Sequence, residues 1–350
     1  MKKFFRFLLV LLLIVVLAVG GLFGWLTYEE YKPAAVESLE ITHNDAGVLL
    51  SAGQSLDVIS WNIGYAGLGK ASDFFMDGGK QVRAAGPNIM GGYLNGIADT
   101  LSAGDYDLVL LQEVDVASSR TFNVNQAQRL ARGSSVHALN YSCPFVPYPL
   151  PPIGKVNSGL FTTTDLHIEQ ADRVSLPCPF SWPIRVANLK RCLLVSYLPI
   201  DGSKQQLVLV NLHLEAYDDG AGKVAQTKQL MDFLQSEYDK GNYVIAGGDV
   251  NQIFPGSLEV YPNTHPELWE PGVLDEATLP AGFSFAYDLA VPSCRLLNQP
   301  YDPADTANTQ HYVIDGFILS PNVKLESVET LDLGFENSDH NPVHIQVTLG

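Results

Sequence analysis

From Phe7 to Leu26 the chain carries twenty residues without a charge, an apolar run long enough to cross a bilayer as a helix. Beyond it the apolar pattern breaks into short, β-branched runs: Leu56–Trp61, Leu108–Leu111, Gly159–Thr163, Cys192–Leu198, Leu207–Leu212, Tyr243–Ala246, Val313–Leu319 and Val343–Val347. Runs of this length and composition predict buried strands. Between them the period changes. Tyr93–Ser102 sets Leu94, Ile97, Ala98 and Leu101 on one helical face, and Val224–Tyr238 does the same with Leu230, Phe233 and Leu234. Interspersed helices and strands predict an α/β domain whose helices cover sheet faces. The runs Cys192–Leu198 and Leu207–Leu212, joined by a turn at Asp201-Gly202, add antiparallel pairing, so the sheet is expected to be mixed. Pro144–Lys155 and Ile253–Tyr312 follow neither period and predict long ordered loops of the kind that surround a site.

The apolar run divides the chain. Residues 1–27 predict a basic cytoplasmic tip and a transmembrane signal-anchor, residues 28–54 a polar stalk that lifts the remainder from the bilayer, and residues 55–350 one large domain. Lys2, Lys3 and Arg6 hold the N-terminus in the cytoplasm, which places the domain outside it, on a single-pass protein of the cell membrane. Ala18-Val19-Gly20 offers a signal-peptidase alternative, but the apolar run exceeds the roughly 7–15 residues of a cleaved signal. Cys143, Cys178, Cys192 and Cys294 match no metal-binding spacing; one or two disulfides and plain buried thiols both remain open.

Composition narrows the class. With 46% hydrophobic and 17% charged residues the chain is neither disordered nor fibrous. A formal net charge of −17 works against the attraction to phosphate backbones that nucleic-acid binding needs, so a nucleic-acid partner is disfavoured. A divalent cation held by carboxylates supplies positive charge locally, which reconciles an acidic chain with phosphate chemistry.

The polar residues at strand ends carry that chemistry. Asn62, Glu113, His213, Asp249 and Asn251 each follow a predicted strand, and the crevice beyond the carboxyl ends of strands is where α/β sheets bind ligands. Asp315 lies inside Val313–Leu319, and Asp339-His340 just before the last strand. Glu113, Asp249, Asp339 and Asn62 form an oxygen-rich set suited to Mg²⁺ or Mn²⁺ and unsuited to zinc. His340 with Asp315 has the composition of a general-base dyad, and His213 and Asn251 remain as donors to a phosphoryl oxygen. Taken singly, a strand-end Asp or Asn caps the next turn, and an isolated His packs in the core, as is expected of His137, His167, His265, His311 and His344.

In company these residues are recognisable. Ser60-Trp61-Asn62, Leu111-Gln112-Glu113-Val114-Asp115, Asn211-Leu212-His213-Leu214, Gly247-Gly248-Asp249-Val250-Asn251, Ile314-Asp315-Gly316-Phe317 and Ser338-Asp339-His340-Asn341-Pro342-Val343, in this order, resemble the endonuclease/exonuclease/phosphatase superfamily. The resemblance spans about residues 56 to 349. It implies a four-layer α/β/β/α sandwich of two mixed sheets and a metal-dependent phosphoric ester hydrolase. It also implies roles: Glu113 as principal metal ligand with Asn62 and Asp339 near the metal, Asp249 positioning the attacking water, Asn251 and His213 holding phosphate oxygens, and His340, paired with Asp315, as general base or phosphate-polarising group.

Substrate choice lies in the loops. Aromatic and proline-rich stretches such as Phe145–Leu150 and Phe180–Pro183 on a membrane-held enzyme favour a lipid headgroup or another small phosphodiester. A nuclease of the deoxyribonuclease I type is the alternative, and a catalytically lapsed binding protein a second one. Arg120, Arg185 and Arg295 are candidate phosphate contacts. Oligomeric state has no signature in the sequence.

Overall fold

Among the described residues, thirteen strands build two large sheets. In chain order they are β1 Val36–Ser38, β2 Ser55–Asn62, β3 Leu108–Asp115, β4 Ser134–Val146, β5 Gly154–Thr164, β6 Gln170–Ser175, β7 Cys192–Pro199, β8 Gln206–His213, β9 Tyr243–Asp249, β10 Ser284–Ala286, β11 Asp315–Leu319, β12 Val323–Thr330 and β13 Val343–Leu349. The helices that matter here are α1 Lys2–Tyr28, α2 Pro87–Ala103, α3 Gln126–Leu130 and α4 Ala221–Asp239. The computed structural model describes residues 1–42, 47–305 and 308–350.

One sheet has the order β1-β6-β7-β8-β9-β11-β10 and the other β12-β13-β2-β3-β5-β4. Their facing sides interdigitate: Leu56, Val58, Leu110 and Ile345 from one meet Leu194, Leu209, Ile245 and Phe317 from the other in the central core. The opposite faces are covered too. Met90, Leu94, Ile97 and Leu101 of α2 pack on Ile59, Trp61, Val109 and Leu111, while Leu230, Met231 and Leu234 of α4 pack on Val208, Val210, Val244 and Ala246. Burial on both faces is why these strands read as continuous apolar runs instead of alternating ones. The result is the four-layer α/β/β/α sandwich that the resemblance implied.

Two parallel pairs set the ends in register. β2 and β3 pair in parallel with α2 as their crossover, and β8 and β9 do so with α4. All four strands therefore finish at one pole of the sandwich. At Gly248 the neighbouring strand comes so close that a Cβ would lie 1.9 Å from Leu212 O, and its φ of +152° is one that glycine tolerates.

Several elements depart from the reading of the sequence. β4, β6 and β12 carry polar residues on one side and show no continuous apolar run, so their pairing is a property of the neighbours they meet. The described part of residues 28–54, expected as a stalk, lies against the domain: Val36–Ser38 pairs antiparallel with Asp172–Val174, Leu50 enters the central core, and Thr42 bridges Ser135. Residues 43–46 of this segment, and 306–307 of the loop after Ile253, lie outside the described residues. The four cysteines are free thiols, three of them buried. α1 is exposed from Lys2 to Gly21, with a mean hydropathy of 3.0 over its most apolar 18 residues, and is long and apolar enough to cross a membrane.

Candidate active site

Register brings the strand-end residues together. Asn62 pairs with Gln112 across β2 and β3, His213 with Asp249 across β8 and β9, and Asp315 with Asp249 across β11 and β9. Val343 pairs with Ser60, so the preceding Asp339 and His340 arrive at the same pole. Glu113 sits where the β3–β5 pairing slips, between Leu111 and Val114, with φ +56°. An irregularity of this kind re-aims a side chain, and the left-handed conformation is strained for a residue other than glycine. Gly64, at φ +48°, turns the chain after Asn62; a Cβ there would lie 2.7 Å from Asp339 Oδ1.

Asp249 Oδ2 is the hub. Asn62 Nδ2 donates to it at 3.0 Å, His213 Nε2 lies at 3.4 Å and His340 Nε2 at 3.8 Å. His340 Nδ1 is 2.8 Å from Asp315 Oδ2, which also accepts from Ser293 Oγ at 2.7 Å. Asp249 Oδ1 accepts the Asn251 backbone N–H at 2.8 Å, while Asn251 Nδ2 donates to Leu214 O at 2.9 Å and so keeps one N–H for another acceptor. Asn62 also reaches Glu113 Oε1 at 3.4 Å, and its Oδ1 accepts from Gly64 N at 3.1 Å. Its amide nitrogen, not its oxygen, thus faces the carboxylates. Asp339 Oδ2 lies 3.9 Å from His340 Nε2.

Crowded burial shifts these groups in opposite directions. Burial, followed by the charge of Asp315, pushes Asp249 up to about 7. Burial and then the nearby Glu113 raise Asp339 to about 6 against the pull of His340 and Arg295. His340 is also desolvated, but Asp315 and the other neighbouring negative groups outweigh that and hold it well above its usual value, favouring the imidazolium. His213 goes the other way: burial, then the positive neighbours Arg191 and His340, hold it well below the usual value, and it stays neutral. The two histidines therefore differ in charge although both face one carboxylate.

Asp249, Asp315 and His340 offer ligand atoms that all lie within 4.8 Å of one another. A metal among all three would have to break the short His340–Asp315 bond. Glu113 and Asp339 are two neighbouring carboxylates whose mutual repulsion a divalent cation would relieve, an oxygen-only pair of the kind that suits a hard cation.

A family model described as the Endonuclease/Exonuclease/phosphatase family matches residues 59–340. The chain belongs to this family. Family members are metal-dependent hydrolases of phosphate esters. Among solved structures, the chain is similar to a family protein from Beutenbergia cavernae DSM 12333, with a TM-score of 0.53 and 17% identity over 85% of this chain and 72% of that one. It is also similar to family proteins from Bacteroides thetaiotaomicron (0.52, 15%, 85% and 99%) and Leptotrichia buccalis C-1013-b (0.51, 14%, 83% and 98%). At such identities these likenesses concern the fold. No curated protein matches the chain.

The family motifs contain residues whose part is visible only in three dimensions. Asn211 spans the two sheets below the site: Nδ2 donates to Leu111 O at 3.1 Å and Phe161 O at 3.0 Å, and Oδ1 accepts from Gln112 Nε2 at 2.8 Å. Ser338 Oγ donates to Asn62 O at 2.8 Å, and Trp61 Nε1 to His340 O at 2.8 Å, fastening the last loop to β2. Ser293 lies in the long loop after Ile253 and had no signal in the sequence. The candidate arginines are spent elsewhere. Arg120 pairs with Asp115 at 2.9 and 3.0 Å and stacks on Tyr65, Arg295 donates to carbonyls of Gly69, Ser72, Leu296 and Gln299, and Arg185 pairs with Glu30.

Proposed function

We propose that this family member hydrolyses a phosphodiester, a lipid headgroup or another small diester, outside the cytoplasm at the membrane that holds α1. The observation that carries the reading is the arrangement around Asp249 Oδ2, where Asn62, His213 and His340 converge while His340 keeps its second nitrogen on Asp315.

Glu113 and Asp339 are the residues that would hold Mg²⁺ or Mn²⁺, with Asn62 fixing the Glu113 carboxylate. Such an ion neutralises charge that builds on the phosphoryl oxygens and the leaving group. Asp249, surrounded by donors, orients the attacking water and takes its proton. The His340 imidazolium, held by Asp315, donates through Nε2 to a phosphoryl oxygen, and neutral His213 and the free N–H of Asn251 add further donors. The chain's net charge of −17 supports a small or membrane-borne diester over DNA.

The test is turnover of bis-p-nitrophenyl phosphate and p-nitrophenyl phosphate by the full chain in detergent, with Mg²⁺, Mn²⁺ or EDTA. Metal-dependent cleavage favouring the diester, and lost in Asp249→Ala, is expected. Metal-independent cleavage, a preference for the monoester or no cleavage at all would overturn the reading; the last result together with unimpaired metal binding would point to a lapsed site.

A further inference from the structure

The last turns of α1 are built into the domain. Leu26 is fully buried, with Leu22 and Phe23 half-buried beside it, against Val82, Val146, Ile153 and Val186. Trp182 Nε1 donates to Thr27 Oγ1 at 3.0 Å, and its ring meets Phe23 edge-on with centroids 6.3 Å apart. Just past the helix, Glu30 is buried and held by Arg185 Nε at 2.8 Å and Lys190 Nζ at 3.4 Å, with Lys32 at 3.6 Å. Val36–Ser38 then joins the sheet edge. Buried packing, a charge-assisted bidentate pair and strand pairing follow one another between residues 22 and 38, which makes this a stiff junction.

Strand register shows which pole the helix enters. Tyr141 of β4 pairs with Ser158, which pairs with Asp115 at the end of β3, and β4 continues to Val146 opposite Gly154. Five further residues carry it roughly 17 Å beyond the end of β3 at a strand rise of about 3.3 Å. α1 packs on this overhanging end. In the other sheet, Arg191, next to Lys190, donates from Nη1 to His213 O at 3.2 Å. The helix junction and the catalytic residues therefore share one pole, and the β7–β8 turn at Asp201–Lys204 marks the opposite one.

The shared pole projects large apolar side chains: Tyr148 is 71% exposed, Leu150 87%, Trp182 58% and Ile184 63%. Arg185, next to Ile184 in the chain, and Lys32 keep part of their side chains exposed here while pairing with Glu30, in a chain of net charge −17. Aromatic and aliphatic tips beside cations, at the mouth of an apolar helix, match the chemistry of a membrane interface.

We propose that α1 is a rigid stem that seats the active-site pole on the bilayer, with Tyr148, Leu150, Trp182 and Ile184 in the headgroup layer. This rests on reading α1 as a membrane-spanning helix. Seated so, the site reaches esters carried by the membrane surface before those dissolved in bulk water.

The test places an environment-sensitive fluorophore at Leu150→Cys, Ile184→Cys or Lys204→Cys, each in the full chain with Cys178→Ser, reconstituted in phosphatidylcholine and phosphatidylglycerol vesicles containing a nitroxide-labelled lipid. Blue-shifted emission and lipid quenching at positions 150 and 184, without either at 204, are expected. Equal, water-like signals at all three in chain that resists an alkaline wash would overturn the seat and leave the anchor standing. Release of the chain by that wash would overturn the anchor and the seat with it. Substituting Tyr148→Asp in the fluorophore-bearing chain should reduce quenching at 150 without lowering the unfolding temperature; unchanged quenching would count against the seat.

Discussion

Asp315 Oδ2 lies 2.8 Å from His340 Nδ1 and accepts Ser293 Oγ at 2.7 Å, so one oxygen both orients the imidazole and is itself oriented. Asp315→Asn would remove the charge that favours the imidazolium and set the wrong hydrogen on the amide. A drop in kcat of about 10²–10⁴ with little change in KM is expected, the range for losing a positioned proton donor or acceptor. Ser293→Ala, which removes a hydroxyl that donates to the carboxylate and accepts the backbone N–H groups of Ile314 and Asp315, leaves the carboxylate itself in place and should cost less, about tenfold. Steady-state kinetics on bis-p-nitrophenyl phosphate separate the two, and equal losses would show that Ser293 does more than position Asp315.

Glu113 is held in a left-handed conformation at the pairing slip in β3 and is reached by Asn62 Nδ2 at 3.4 Å. If it is the principal metal donor, Glu113→Gln keeps shape and removes charge, and the Mg²⁺ concentration for half-maximal activity should rise at least about tenfold. Asn62→Ala should raise it less, in line with the roughly 10–100-fold effect of groups that orient metal ligands. Isothermal calorimetry of Mg²⁺ or Mn²⁺ binding reads this directly, and unchanged affinity in Glu113→Gln would remove that residue from the metal site.

Asp249 and Ser293 differ in how far the sequence reveals them. Asp249 stands at the end of a buried strand, and the other motifs, in their order along the chain, single it out from a strand-end cap. Ser293 reaches Asp315 from a loop without periodicity, and its role depends on tertiary proximity that no local signal encodes. The same division holds for strands. β2, β3, β8 and β9 are covered on both faces and show as apolar runs, whereas β4 and β6 show polar residues where they face partners or solvent. Val36–Ser38 was hidden because a three-residue edge strand is stabilised by the backbone of β6, not by its own composition.

Asn211 satisfies two carbonyls of the facing sheet and accepts from Gln112, all in a fully buried position. Asn211→Leu would take its donor from Leu111 O and Phe161 O and the shortest of three acceptors from the Gln112 amide, which keeps Ser60 Oγ and Leu110 O, at about 1–3 kcal/mol for each buried group left unpaired. A loss of about 3 kcal/mol or more in urea unfolding, with an unchanged m-value, is expected, together with reduced activity because Gln112 adjoins Glu113. A loss below about 1 kcal/mol would mean that the bridge between the sheets is not structural.

His213 is neutral in the folded protein because burial, and then Arg191 and His340, disfavour its charge. Its folded value lies below the unfolded one of about 6.5, so the unfolded chain binds the extra proton and the stability this residue contributes falls as pH drops below that value. One proton sets the limit at about 1.4 kcal/mol per pH unit. Asp249 and Asp339, pushed up to about 7 and about 6, take up protons on folding and act in the opposite sense. The informative quantity is therefore the difference between the parent chain and His213→Gln, measured by urea unfolding at pH 7.5 and at pH 5, about one and a half units below the unfolded histidine value. On acidification the variant should lose less stability than the parent chain. Parallel losses in both would show that folding leaves the His213 pKa unshifted, and a larger loss in the variant that His213 already carries its proton in the folded protein; either would mean that the two histidines facing Asp249 do not divide the charged and neutral roles.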